Sequence, residues 1–153
     1  MAATHVTVRA ATAGDVPAIA ALLAAGSLTP DAEDAEDHGA YAAALSRVRA
    51  GGGEVFVAVL DGAVVGVLQA LVLEHLQHRG GRACELESVH VAEAHRGSGI
   101  GAALLAVAVE WARDRGCYRV QLTSNNRRPD AHRFYSSHGF TPSHVGFRRD
   151  LSA

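Results

Sequence analysis

Apolar and polar residues alternate with period two in several stretches of this chain, and that alternation marks strands. Val6 and Val8 alternate with polar neighbours across His5 to Ala11. Glu54 to Leu60 and Ala63 to about Leu73 are two apolar runs separated by Asp61-Gly62, a pair favoured in two-residue hairpin turns. Cys84 to Val91 is a further strand, with Val89 and Val91 set between polar positions, and Tyr118 to Thr123 is another, with Val120 and Leu122 on one face. Helical spacing fills the intervals. Val16, Ile19, Leu22 and Leu23 define a helix with Thr12 as its cap, Asp15 three residues on, Pro17 in the first turn and Gly26 at the end. Tyr41, Leu45 and Val48 define a second helix, which ends near Ala50 before the connector Gly51-Gly52-Gly53. Ile100, Leu104, Val107 and Trp111 form the stripe of a long helix running to Arg115 and stopped by Gly116. A short helix covers about Asp130 to His138, and Phe140 to Leu151 contains the last strand. The order β-α-α-β-β-β-α-β-α-β predicts an α/β chain, with a mixed sheet and helices on both faces.

Composition narrows the class. At 153 residues the chain is expected to form one domain, 1–153, with a real core. Hydrophobic content of 48% and charged content of 20% are those of an ordinary globular protein. A net charge of −2 draws the whole chain to neither nucleic acid nor membrane, so neither is an expected partner. Cys84 and Cys117 are too few for a disulfide scaffold and read as buried, reduced thiols. Arg9 interrupts the start of the chain before any leader-like apolar region, and no apolar run reaches spanning length. The expected location is cytoplasmic.

The chemistry concentrates between Glu85 and Ala108, where a strand, a glycine-rich turn and a helix follow one another. Arg96-Gly97-Ser98-Gly99-Ile100-Gly101 opens the helix. Free N–H groups at a helix start, with the helix dipole behind them, favour negative charge, and glycines let a ligand approach the backbone. Such a turn is a pocket for phosphate oxygens. A P-loop requires Lys-Ser or Lys-Thr at its end, which is lacking. A dinucleotide turn follows a buried apolar strand and precedes an acidic residue by about 20 positions. Here the strand carries Glu85 and Glu87, and the later position falls near Gln121.

Arg96-x-x-Gly99-x-Gly101 after a strand resembles the pyrophosphate loop of the GCN5-related N-acetyltransferases, which use acetyl-CoA. Asn125, then Asp130-Ala131-His132-Arg133-Phe134-Tyr135, then Gly139-Phe140 is similar to that family's second signature. The Asp-Ala-His-Arg-Phe-Tyr run and Ser143-His144 look most like aminoalkylphosphonate and other small-molecule N-acetyltransferases. The resemblance implies a mostly antiparallel mixed sheet of six to seven strands with about four helices. In such a sheet the strand ending at Val91 and the one starting at Tyr118 splay apart around the pantetheine arm. It implies acetyl transfer to a primary amine of a small molecule by direct attack in a ternary complex. A protein or peptide amine as acceptor, or a non-catalytic module that senses acyl-CoA, are the other readings. The family includes homodimers, and the resemblance admits one here; the sequence assigns no interface.

The same resemblance distributes the roles. Glu87 is the expected base, with Glu85 in reserve, and Tyr135 the expected proton donor to the leaving thiolate. Val89, His90 and Val91 would pair with pantetheine. Arg96, Gly97, Ser98, Gly99, Ile100, Gly101 and Ala102 would hold the pyrophosphate. Asn125 would hydrogen-bond the pantetheine arm and Phe134 would belong to the cofactor site, although Asn125 also suits a turn after a strand. Arg127, Arg128 and Arg133 read either as anion contacts or as a solvated loop. The acidic run Asp31, Glu33, Asp34, Glu36 and Asp37 reads as a solvated helix start in preference to a trap for a cationic amine. His75 and His78, three apart, read as surface histidines in preference to ligands shared with Glu74 or His90, and no metal is expected. An acyl-cysteine route is disfavoured: Cys117 follows a helix C-terminus and Cys84 lies at the far start of its strand. The acceptor is expected to be read by loops around Asp31 to Tyr41, His75 to Arg82 and Ser143 to Arg148.

Overall fold

The computed structural model describes residues 5–151. Five strands form one sheet in sequence order: β1 (Val6–Ala10), β2 (Glu54–Leu60), β3 (Ala63–Glu74), β4 (Arg82–Val91) and β5 (Cys117–Leu122). The first three pairings are antiparallel and β4 with β5 is parallel. The hairpin at Asp61-Gly62 has both residues at positive φ, 49° and 80°, the backbone that matches strand twist in a two-residue loop.

Helices α1 (Val16–Gly26) and α2 (His38–Ala50) cover one face, where Ile19 and Leu22 pack on Val55, Val57 and Val67. Helix α4 (Ile100–Asp114) covers the other, burying Ile100, Leu104, Leu105, Ala108 and Trp111 against Phe56, Leu68 and Leu86. A single turn, α3 (Gln77–Gly80), precedes β4, and α5 (Pro129–Ser137) follows β5. Thr12 and Asp15 meet as expected: the Thr12 N–H donates to Asp15 Oδ2 at 2.7 Å, and Arg9 grips the same carboxylate with two bonds of 2.6 and 3.0 Å. They bracket a 3-10 turn (Ala13–Asp15) that leads into α1.

Two expectations are corrected. Among the described residues the sheet has five strands, not six to seven. Thr141 to Leu151 has no regular secondary structure and is exposed, and among the described residues it pairs with no strand. Val145 and Phe147 are two apart, but Arg149 breaks the alternation, and among the described residues no strand edge takes the segment up. The loop from His75 to Arg82 is also at the wrong end of the sheet. His75 Nδ1 meets the Tyr118 hydroxyl at 2.5 Å and the His78 ring stacks on Tyr118 at 3.9 Å, both at the start of β5. That is about 17 Å along β4 from Glu87, taking the rise of a strand over five residues.

Candidate active site

Strands β4 and β5 are paired only from Arg82–Cys117 to Leu86–Leu122. Beyond Leu86 they part, and a cleft of about 270 Å3 opens between them. One wall is Glu87 to His90, the other is Thr123 to Asn125 with Arg128 and Tyr135 of the following loop and helix. The end of α1 and the chain after it, through Leu23, Ser27 and Glu33, close the third side.

A bulge in β4 decides what faces this cleft. Gln69 pairs with Glu87 and Val67 with His90, so β4 spends one residue more than β3 between these pairs. Ser88 takes φ 52° to absorb it. Before the bulge, Leu86 points to the α4 core and the odd positions point away; after it, Val89 and Val91 pack on that core. Glu85, Glu87 and His90 therefore share the α1 face despite their mixed parity. Ala92 donates its N–H to Val65 of β3 at 2.8 Å. By alternation the N–H groups of Val91 and Val89 point to the opposite edge, into the splay.

Electrostatics separates the titratable groups. Partial loss of water, with the Glu85 charge added, raises the Glu87 carboxyl above its ordinary value. Glu85 itself accepts a 2.7 Å bond from Gln121, its neighbour on β5, and stands outside the cleft lining. Burial, then the charges of Arg128 and Arg96, lower His90, so its imidazole is neutral at pH 7. Burial raises the Tyr135 phenol, which keeps its proton throughout the neutral range. Cys84 is fully buried and its thiol is pushed up to about 12, chiefly by that burial; burial also raises Cys117. Neither is an activated nucleophile.

The glycine turn lies at the end of β4. Gly97 and Gly99 sit at φ 77° and 85°, with open space where a Cβ would be. Gly99 is the N-cap of α4 and offers no side-chain cap, so the first N–H groups of the helix, including those of Ile100, Gly101 and Ala102, lack one. Arg96 is exposed and donates to the Val91 carbonyl at 3.2 Å, and the Ser98 hydroxyl donates to the His95 carbonyl. Ile100 is buried, so only its backbone can face a ligand. At Gly101 a Cβ would lie 3.0 Å from Phe134 Cζ; the glycine lets α5 dock on the first turn of α4. An uncapped helix start, two open left-handed glycines and an exposed guanidinium suit a pyrophosphate.

Asn125 lines the cleft, yet its side-chain oxygen accepts from the Arg127 N–H at 2.9 Å, an Asx turn. Arg133 is paired with Asp130 on the surface of α5. Arg128 behaves differently: its Nη2 donates to the Gly26 carbonyl at 2.6 Å, joining the loop after β5 to the end of α1. Gly26 also presses against His90, whose Nδ1 would be 2.2 Å from a Cβ there. Sequence reasoning read Gly26 only as a helix stop. It also treated the acidic run as solvated, whereas Glu33 faces the cleft and accepts a 2.5 Å bond from the Tyr41 hydroxyl. Among the described residues no three His, Cys, Asp or Glu side chains are arranged to hold a metal ion, and no helix is long and apolar enough to cross a membrane.

Comparison with known proteins agrees with this geometry. The sequence model of the acetyltransferase (GNAT) family matches residues 22–140. The aminoalkylphosphonate N-acetyltransferase of Salmonella typhimurium is 38% identical over 95 residues, which are 62% of this chain and 61% of that protein. The aminoglycoside N(6')-acetyltransferase type 1 of Stenotrophomonas maltophilia is 34% identical over 99% of this chain and 97% of its own length. Among solved structures, one described as a transcriptional regulator from Bacillus halodurans C-125 superposes with a TM-score of 0.90 at 36% identity, covering 96% of this chain and 100% of that one. The chain belongs to the acetyltransferase (GNAT) family.

Proposed function

We propose that this protein transfers an acetyl group from acetyl-CoA to the primary amine of a small molecule, by direct attack with both substrates bound. One observation carries the reading: Glu87 and Tyr135 stand on walls of the same cleft, opened by the parting of β4 and β5. Bound acetyl-CoA supplies an acetyl group activated as a thioester. Arg96 and the backbone of Gly97 to Ala102 hold its pyrophosphate, and Val89 and Val91 offer N–H groups to the arm and the carbonyl oxygen. Glu87 receives the proton of the incoming ammonium; its raised affinity for protons fits it for that task better than an ordinary carboxylate. Tyr135 keeps a proton at its phenol oxygen for the departing sulfur. The thiol at Cys84, held up to about 12, supports direct transfer over an acyl-cysteine route.

The acceptor enters past α1, where Glu33 and Glu87 place two carboxylates on the approach of a cationic amine. Arg128, on the opposite wall, suits an acceptor that also carries an anionic group, in keeping with the phosphonate-acetylating relative. The test is thiol release from acetyl-CoA across aminoalkylphosphonates, amino sugars, aminoglycosides, polyamines, amino acids and short peptides. Saturable turnover on a small amine supports the reading. Turnover on peptides alone, or tight acetyl-CoA binding with no turnover on any amine, overturns it.

A further inference from the structure

A second pocket, of about 80 Å3, lies beneath helices α1 and α2. Leu23 of α1 with Ala44, Leu45 and Val48 of α2 form its roof, and Val67 and Gln69 of β3 form its floor. Eight of its eleven lining residues are aliphatic, so it offers few partners to hold water. Packed interiors rarely keep a void larger than one water molecule, about 30 Å3 of liquid. The looseness is visible in α2. Tyr41, Ala44, Leu45 and Val48 turn inward, yet no residue of that helix is fully buried.

This space adjoins the candidate active site. Leu23 and Ser88 line both the pocket and the cleft. Ser88 is the bulge residue that follows Glu87, and Gln69 on the pocket floor is the cross-strand partner of Glu87. Such partners stand about 5 Å apart, a span of about three carbons. Tyr41 stands at the seam: its hydroxyl donates to Glu33 of the cleft at 2.5 Å, and its ring stays with the pocket. Two carboxylates thus face an incoming amine, while the space beside them is mostly hydrocarbon.

We propose that the acceptor amine carries a short apolar group, which enters this side pocket while the nitrogen stays at Glu87. The inference rests on the acetyl-transfer reading above. Its size limit follows from volume: a cavity of about 150 Å3 lined by aliphatic and aromatic side chains takes up benzene, and about half that volume holds about three carbons. The acyl group of the donor is served from the other side, because the N–H groups of Val89 and Val91 point into the splay between β4 and β5 and the pocket lies on the α1 face.

The test is kcat/KM for straight-chain primary amines from ethylamine to octylamine at saturating acetyl-CoA. Once the chain passes about three carbons, each of the next three or so methylenes is expected to raise kcat/KM about fourfold, about 60-fold in all, and longer chains to gain nothing more. Ala44→Leu adds about three carbons to the roof and keeps a strong helix former, so it is expected to fold and to flatten the series. A second measurement holds whether or not that variant folds. With CoA bound in place of acetyl-CoA, hexylamine is expected to shift the methyl resonances of Leu45, Val48 and Val67, and ethylamine at the same concentration to leave them in place. A flat series among amines that turn over, a rise that persists in folded Ala44→Leu protein, unmoved methyl resonances, or a gain that follows the donor from acetyl- to butyryl-CoA instead of the amine each overturns the inference. Silence on every amine overturns acetyl transfer itself, and the methyl shifts, which need no turnover, then decide whether the pocket takes the chain.

Discussion

On the proposed mechanism, replacing Glu87 with Gln removes the proton acceptor while keeping the shape of the side chain. The magnitude follows from where the proton must go. A primary alkylammonium with a pKa near 10.4 is neutral in only about one molecule in 800 at pH 7.5. If Glu87 is the base, the ammonium form binds and yields its proton there. Without it, the enzyme must recruit amine that is already neutral. The variant should therefore lose about 10²–10³ in kcat/KM for the amine at pH 7.5, within the range of a single general base. The loss should shrink about tenfold for each pH unit and nearly vanish near pH 10, as the free amine becomes abundant. The assay is initial-rate thiol release from acetyl-CoA at fixed saturating donor between pH 7 and 10. A defect that stays constant over this interval would refute the reasoning, because a group that only positions the amine leaves no slope.

Three further outcomes follow from the same geometry. Tyr135→Phe should lower kcat by about 10–100-fold with little change in acetyl-CoA affinity, since it removes a proton and no packing; an unchanged kcat counts against a donor role. Gly99→Ala meets no neighbour within 4 Å, so its cost is the left-handed backbone at φ 85°; about 1–2 kcal/mol of strain and an acetyl-CoA Kd about tenfold weaker are expected by titration calorimetry. Asp15 is held at about 2, below its ordinary 3.8, first by the Arg9 hydrogen bond. Its folded pKa is depressed, so its stabilisation is complete above pH 3.8 and is lost as pH falls through about 2. Asp15→Asn should cost at most about 2 kcal/mol at pH 7, screening at the half-exposed Arg9 included, and close to nothing near pH 2; urea melts at both pH values decide it.

Local patterns carried most of the scaffold. The Asp61-Gly62 turn, the Thr12–Asp15 cap and the stripe on α4 each depend on residues close in sequence, and each formed where the spacing placed it. What failed depended on distance. Val145 and Phe147 have strand spacing, but spacing alone supplies no edge to pair with. The histidines at 75 and 78 are next to β4 in sequence and at the far end of it in space, because the strand runs away from them toward the cleft. Glu33 is one of five carboxylates in its run, and only the packing of Tyr41 selects it. Part of the cleft was legible in retrospect. Along β4 the odd positions change from Glu85 and Glu87 to Val89 and Val91, a switch that a continuous strand cannot house on one face. That switch is the signature of the bulge at Ser88.

The bond from Arg128 to Gly26 has a consequence for how this fold can take up new acceptors. It ends on a main-chain carbonyl, and Gly26 brings no side chain of its own. The clasp between the two halves of the cleft therefore makes no demand on the identity of Leu23, Ser27 or Leu28, which line the entry beside it. On the proposed function, those positions can drift toward new amines while the half assigned to the acetyl donor keeps its alignment. Evolvability of the acceptor, on this view, is a property of one backbone oxygen.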